Sequence, residues 1–331
     1  MNKETAMSTR SKNTVSCVTV LAALVIALCF SAATSAQPLS TPSAAASPQT
    51  TQTGFATPQE ASAALIKAAA DYDLPALTAM FGQDGEDLVS TADHVQDKNN
   101  AAAFAERAQK KNSVVIDPKN PNEATILVGD EEWPLPVPLV KKGAKWYFDS
   151  KTGHDEVLYR RIGANELDAI QICRGFVEAQ EEYASVIHDN SGVNQYAQRT
   201  ISTDGKQDGL AWKNSDGSWE GPVSETIAKA IQEGYTTKGE PFHGYYFKVL
   251  KGQGPAAPNG ALDYVINGAM IGGFAMVAWP AEYKVTGVQT FIVSYSGIVY
   301  QKDLGTNTAA TAAAMELYNP DKTWHRTDDN W

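Results

Sequence analysis

The chain has 331 residues, room for about two domains, and a hydrophobic fraction of 43% that can supply a sizeable core. Its formal net charge is −11. Lys3, Arg10 and Lys12 against Glu4 leave the first 36 residues at +2 and the remainder at −13. So acidic a chain is repelled by phosphate backbones and anionic lipid, which argues against nucleic acid as a partner.

The N-terminus reads as a targeting segment. A basic stretch is followed by an apolar run of 16 residues from Val15 to Phe30, shorter than the ~20 residues of a membrane-spanning helix. Small residues follow in SAATSAQ, which sets the expected signal peptide at residues 1–36, cut after Ala36 with Thr34 at the −3 position. The competing readings are an uncleaved anchor, or a lipoprotein cut before Cys29, where Leu28 occupies a position that wants a small residue. Removal of the leader takes Cys17 and Cys29 with it. The mature chain then holds Cys173 alone, forms no internal disulfide, and relies on its core for stability in an exported, periplasmic setting. Residues 37–56 are uncharged and rich in Ser, Thr, Pro, Gln and Ala, a disordered tether that serves as a spacer or as a processing leader. No other run is long and apolar enough to span a bilayer, so the mature chain is expected to have no membrane span.

From residue 57 the pattern is helix, then strand. Thr57-Pro58-Gln59-Glu60 offers an N-cap, Pro at the first helical position and Glu at the third, predicting a helix to about Asp71. A second short helix runs from Leu74 to Phe81 and closes at Gly82. A third is expected near Ala101–Lys111. Strands are predicted at Ser113–Ile116, Ala124–Val128, Trp133–Val140 and Lys145–Asp149, the third forced to an edge by Pro134, Pro136 and Pro138. Residues 57–150 thus form an expected small N-terminal helix–sheet domain. Helices followed by a curved hairpin sheet resemble the cone-shaped nuclear-transport-factor-two-like fold, which hosts both enzymes and binding proteins.

Residues 151–326 read as a second α+β domain, a long helix packed on an antiparallel sheet. Between His154 and Asp189, helical spacing puts Ile172, Cys173, Phe176, Val177, Tyr183 and Ile187 on one arc. Asp168, Gln171, Arg174, Glu178, Glu181 and Glu182 fall on the other, with Leu167 an apolar exception among them. Cys173 therefore reads as a core thiol. Residues 190–240 read as loops carrying Asp-Gly turns and one helix, Ser224 to Glu233. Strands follow at Tyr245–Leu250, Asp263–Ile266, Met270–Trp279, Gln289–Tyr295 and Ile298–Lys302. Asn267-Gly268 and Ser296-Gly297 read as two-residue hairpin turns, and a closing helix runs from about Thr308 to Tyr318.

RRIGANELDAIQICRGFVEAQEEYA (160–184), KQDGLAW (206–212) and the run from Gly244 to Gly305 resemble a bacterial exported family, the domain of unknown function numbered 2950. The resemblance covers nearly all of residues 55–326 and implies no activity, cofactor or catalytic residue. More remotely, NELDAIQICRGFVEAQEEYA, GYYFKV and GVQTFIVSYSGIVYQKD resemble the globular part of type IV pilin-like proteins and pseudopilins. That resemblance implies one helix laid across a small antiparallel sheet. The prepilin cleavage site and apolar assembly helix of those proteins have no counterpart here, which argues against filament assembly.

Motifs for chemistry are sparse. His94, His154, His188, His243 and His325 form no His-x-x-x-His pair and no Cys/His cluster, so no metal is expected, and no cofactor. His154-Asp155-Glu156 reads as a solvated first turn of the long helix. Asp204, Asp208 and Asp216 lack the alternation of a calcium loop and read as turn residues. No Gly-x-Ser-x-Gly elbow occurs. The best candidate ligand-binding set is His243, Tyr245, Tyr246, Trp279, Glu282 and Tyr283, joined by Tyr295, of which strand alternation lets at most half converge on one surface. The expected function is a non-enzymatic envelope protein that binds or scaffolds an envelope protein, a glycan or a peptide. The rival expectation is a periplasmic hydrolase of an envelope polymer that uses His243 with Glu282 or Asp303.

Overall fold

The computed structural model describes residues 52–233, 235 and 239–327. The expected leader, residues 1–36, and the tether up to residue 51 lie outside the described residues. Gln52 and Phe55 already belong to the fold. The Gln52 amide donates to the carbonyls of Met80 and Phe148, and Phe55 pairs with Trp146.

The chain is a mixed α+β protein. Its first half runs α1 (Pro58–Asp71), α2 (Leu74–Phe81), α3 (Glu86–Val89), α4 (His94–Lys110), β1 (Asn112–Ile116), β2 (Glu123–Val128), β3 (Trp133–Pro134), β4 (Leu139–Lys142) and β5 (Lys145–Phe148). Thr57 accepts the Glu60 amide at 3.1 Å while the Glu60 carboxylate reaches back to the Ala56 amide at 3.0 Å, a capping box displaced by one residue at its return bond. Asp73 caps α2 and Asp93 caps α4. The Asp93 cap starts α4 well before the expected Ala101. The strands form an antiparallel sheet in the order β1-β2-β4-β5, with β3 also on β2. The expected strand Trp133–Val140 is broken in two, because a proline gives the ladder no N–H. Ile126, Leu139, Trp146 and Phe148 of this sheet bury against Leu65, Leu77 and Phe81 of α1 and α2.

The second half opens with α5 (Ser150–Ala184), a helix of 35 residues. It continues through β6 (Arg199–Ile201), β7 (Gly209–Lys213), β8 (Trp219–Glu220), α6 (Ser224–Glu233), β9 (Tyr245–Leu250), β10 (Gly252–Gln253), β11 (Leu262–Asp263), β12 (Val265–Ile266) and β13 (Ala269–Met270). It closes with β14 (Ala275–Pro280), β15 (Gln289–Ser294), β16 (Val299–Asp303), α7 (Thr308–Ala313), β17 (Leu317–Tyr318) and β18 (His325–Arg326). The main sheet has the order β18-β16-β15-β14-β9, antiparallel throughout. Every residue of β14 is buried, since α5 covers one face of the sheet and α7 the other. Cys173, Phe176, Val177 and Tyr183 of α5 enter this core. Burial pushes the Cys173 thiol up to about 12, which leaves it protonated and unreactive.

Several boundaries differ from the expectation. The long helix ends at Ala184, so Ile187 leaves the apolar stripe and is exposed. Three short strands, β6, β7 and β8, occupy the segment read as loops and one helix. Asn267-Gly268 is a two-residue turn between Ile266 and Ala269, whereas Ser296-Gly297 lies in a longer loop between the paired Val293 and Val299. The closing helix stops at Ala313 and the chain returns to extended backbone at Leu317–Tyr318, where β17 lies parallel to β10. Among the described residues no helix is long and apolar enough to cross a membrane. Phe176 is 3% exposed and meets Phe274 edge-on at 5.6 Å. Phe176→Ala is expected to cost about 3–5 kcal/mol, read as a lower urea midpoint with an unchanged slope.

Candidate functional site

The densest polar region lies where α5 passes from the first core to the second. Asp93, 1% exposed, caps α4 by accepting the Gln96 amide at 2.9 Å. Its second oxygen accepts the Tyr235 hydroxyl at 2.9 Å and the Gly244 amide at 2.8 Å. One carboxylate thereby ties the first half of the chain to the entrance of β9. Asn165 makes a parallel link, accepting from the Gln96 amide group and donating to the Thr286 carbonyl, both at 2.9 Å. Gly244 has φ +76°, and a Cβ there would run into the Asn165 amide, so glycine is required on two counts. Arg161 donates to the carbonyls of Asp87 and Leu88 at 2.7 and 2.9 Å. Burial draws its guanidinium below its ordinary value, against the pull of Asp97, Asp87 and Glu282. Burial pushes the Asp97 carboxyl up, opposed by the Thr91 amide and hydroxyl that it accepts and by Arg161.

His243 sits at the rim of this seam in the left-handed region, φ 50°, which a non-glycine residue holds only when its surroundings fix it. Its Nδ1 lies 2.9 Å from Asp168 and its Nε2 3.3 Å from Glu233. Phe242 stacks on the ring with centroids 4.2 Å apart. The carboxylates bonded to His243 are thus Asp168 and Glu233, not the Glu282 or Asp303 that the sequence offered. An imidazole between two carboxylates can relay a proton. Its hydrogen-bonded neighbours among the described residues include no serine, threonine or cysteine to act as nucleophile.

The other sequence candidates are dispersed. Tyr245 is fully buried on the α5 side of the sheet, its hydroxyl donating to the Gln289 carbonyl at 2.9 Å. Tyr246 and Trp279 are register partners with ring centroids 5.7 Å apart. They share the opposite face with Lys248, whose ammonium donates to the Ala313 carbonyl of α7. Glu282 sits at a turn where its amide donates to the Thr286 hydroxyl, and the Tyr283 hydroxyl donates to Asp303 at 3.1 Å. Tyr295 is exposed at the edge of a loop. Among the described residues no group of three or more His, Cys, Asp or Glu is placed to hold a metal ion.

A cavity of about 430 Å³ opens elsewhere, past the end of α5, and none of the ligand-binding candidates offered by the sequence lines it. Tyr183, Asp189, Gln195, Tyr196, Gln198 and Lys206 line it. Each amide is fixed from behind: Gln195 Oε1 accepts the Met270 amide at 3.3 Å, and Gln198 Nε2 donates to the Gly268 carbonyl at 2.8 Å. Asp189 Oδ2 accepts the Gln207 amide at 2.8 Å. Gln195 Nε2, Gln198 Oε1 and the second Asp189 oxygen have no hydrogen-bond partner among the described residues. The Lys206 ammonium makes no ion pair among the described residues. The Tyr183 hydroxyl donates to the Gln207 carbonyl, and Tyr196 is held against Phe274 at 4.7 Å. The clue in the sequence was the spacing of polar residues in Gln195-Tyr-Ala-Gln198, hidden inside a segment dominated by turns.

His154 does not sit on a solvated first turn, because α5 begins at Ser150. Its Nε2 meets Asp87 at 2.8 Å. Burial alone would lower its pKa, but Asp87 and Asp155 outweigh that and raise it above the ordinary 6.5. A raised histidine stabilises the fold fully below its unfolded value and loses that contribution as pH rises through the folded value. The gap in melting temperature between the protein and His154→Gln is therefore expected to be widest below about pH 6 and to close on the alkaline side. Asp93→Ala strands three donors and is expected to cost about 3 kcal/mol in chemical unfolding.

The family model described as "Protein of unknown function (DUF2950)" matches residues 52–327, and the chain belongs to that family. No curated protein and no solved structure matches it.

Proposed function

We propose that this member of the DUF2950 family is an exported, non-enzymatic binding protein of the cell envelope, and that it holds a short glycan in the cavity beside Tyr196. The observation that carries the reading is the cavity's donor and acceptor set. Sugar hydroxyls both donate and accept, which suits the free atoms of Gln195, Gln198, Asp189 and Lys206, each on a side chain or loop already positioned by the fold. The size suits one or two sugar rings, and Tyr196 offers an aromatic edge. Export is supported by the basic, apolar and small-residue order of the first 36 residues. The long helix laid on a five-stranded antiparallel sheet is a rigid base for presenting loops.

The enzymatic alternative has one observation in its favour, the carboxylate on His243 Nδ1. That is the base-and-orienter half of a hydrolytic site, but Nε2 faces Glu233 and not an open cleft. Titration calorimetry with fragments of envelope polysaccharide separates the two readings. Gln195→Ala and Lys206→Ala are each expected to weaken binding by about five- to tenfold, while His243→Gln leaves it unchanged. Absence of binding to any fragment, or binding indifferent to Gln195 and Lys206, overturns the glycan reading. Release of products that stops with His243→Gln establishes the enzymatic one.

A further inference from the structure

We infer that the open edge of the N-terminal sheet, strand β1, pairs with β1 of a second copy of this chain about a two-fold axis at Val114. The sheet's other edge, β5, is already covered by Phe55, whereas among the described residues β1 pairs with β2 alone. Nothing blunts β1: Asn112–Ile116 contains no proline and no charge.

The hydrogen-bond phase of the strand fixes which groups are offered. The Lys111 carbonyl accepts the Gly129 amide, and the Asp117 amide donates to the Glu123 carbonyl, both at 2.9 Å. Residues 111 and 117 therefore turn their backbone toward β2, and so do Ser113 and Val115 between them. Asn112, Val114 and Ile116 present their N–H and C=O groups to the open side. An antiparallel partner centred on Val114 sets Val114 against its own copy and Asn112 against Ile116, so all three offered residues pair in phase.

The same register is matched in charge and shape. One step beyond each strand end it places Lys111 opposite Asp117 of the second copy, twice by symmetry. The Lys111 ammonium is paired with the exposed Glu132 at 3.1 Å. Ile116, 46% exposed, shares a strand face with Asn112 and Val114, and beside those residues a groove of about 590 Å³ runs along α1, lined by Ala63, Ile66 and Ala70. The partner's Ile116, standing opposite Asn112, enters that groove, and its Val115, 48% exposed, covers Ser113 on the other face. The two copies then share one continuous antiparallel sheet.

Sedimentation velocity on residues 37–331, which include the whole compact unit 49–331, tests this. A concentration-dependent dimer is expected. Val114→Pro removes an outward N–H and leaves the bonds to β2 in place, and is expected to give a monomer with an unchanged circular dichroism spectrum. Asp117→Lys is expected to raise the dimer dissociation constant at least about tenfold, and adding Lys111→Asp to restore it. A chain that is monomeric at every concentration overturns the inference. So does a dimer whose dissociation constant neither Val114→Pro nor Asp117→Lys changes.

Discussion

The rest of the structure depends on one helix serving two cores. At 35 residues α5 is about 50 Å long, more than either sheet needs for cover. Its first turns, through Ser150, Gly153 and Val157, lie against the N-terminal sheet and helices. Its last four turns, through Cys173, Phe176 and Tyr183, fill the core of the second sheet. Between them the helix carries Arg161, Asn165, Glu166 and Asp168. These four are bonded to carbonyls, amides and an imidazole from both halves of the chain. Buried polar groups are tolerated only when satisfied, so the seam fixes the relation of the two cores through geometry more than through buried area.

That division explains which parts of the fold were legible in the sequence. Helices with explicit signals in the sequence match at those signals: the start of α1 at Thr57-Pro58 and the close of α2 at Gly82. Strands with uninterrupted β-branched or aromatic runs, such as Tyr245–Leu250, also matched. Errors gathered where a local signal competed with a tertiary one. Gln96–Asn100 is polar on all sides and gives the sequence no apolar period there, yet α4 begins at His94 since its first turn is anchored by Asp93 and Asp97 from within the seam. The expected strand from Met270 to Trp279 hid a break at Gly272-Gly273. The chain there passes so close to Asp263 and Tyr264 that no side chain fits, and Gly273 takes φ +138°.

The polar sites were less legible for a different reason. Helical periodicity sorts residues into an apolar arc and a polar arc, and places Asp168 on the polar side correctly. It cannot tell a carboxylate facing water from one facing a histidine 75 positions along the chain. The aromatic candidates failed to converge for the opposite reason. Tyr245 and Tyr246 are adjacent in sequence, and the pleat sends adjacent residues to opposite faces, so one is fully buried beneath α5 and the other pairs with Trp279 on the α7 side. Cys173 was the easy case, because a lone cysteine inside an apolar arc needs no partner to explain it.

His243 links these themes. It precedes Gly244, whose amide goes to Asp93 and whose missing side chain makes room for Asn165. With Gly244 pinned in this way, His243 is left at φ 50° and its ring swings outward over Asp168. The strain at His243 therefore follows from the join between the two cores and does not require a catalytic demand. The two carboxylates that flank its ring compensate by hydrogen bonding at both nitrogens. The cavity beside Tyr196 shows the reverse economy: its amides are held by the Asn267-Gly268 turn and by Met270, and their outward atoms meet no partner among the described residues. Polar groups whose every atom is occupied hold a fold together, and groups fixed on one side and free on the other are the ones available to a ligand.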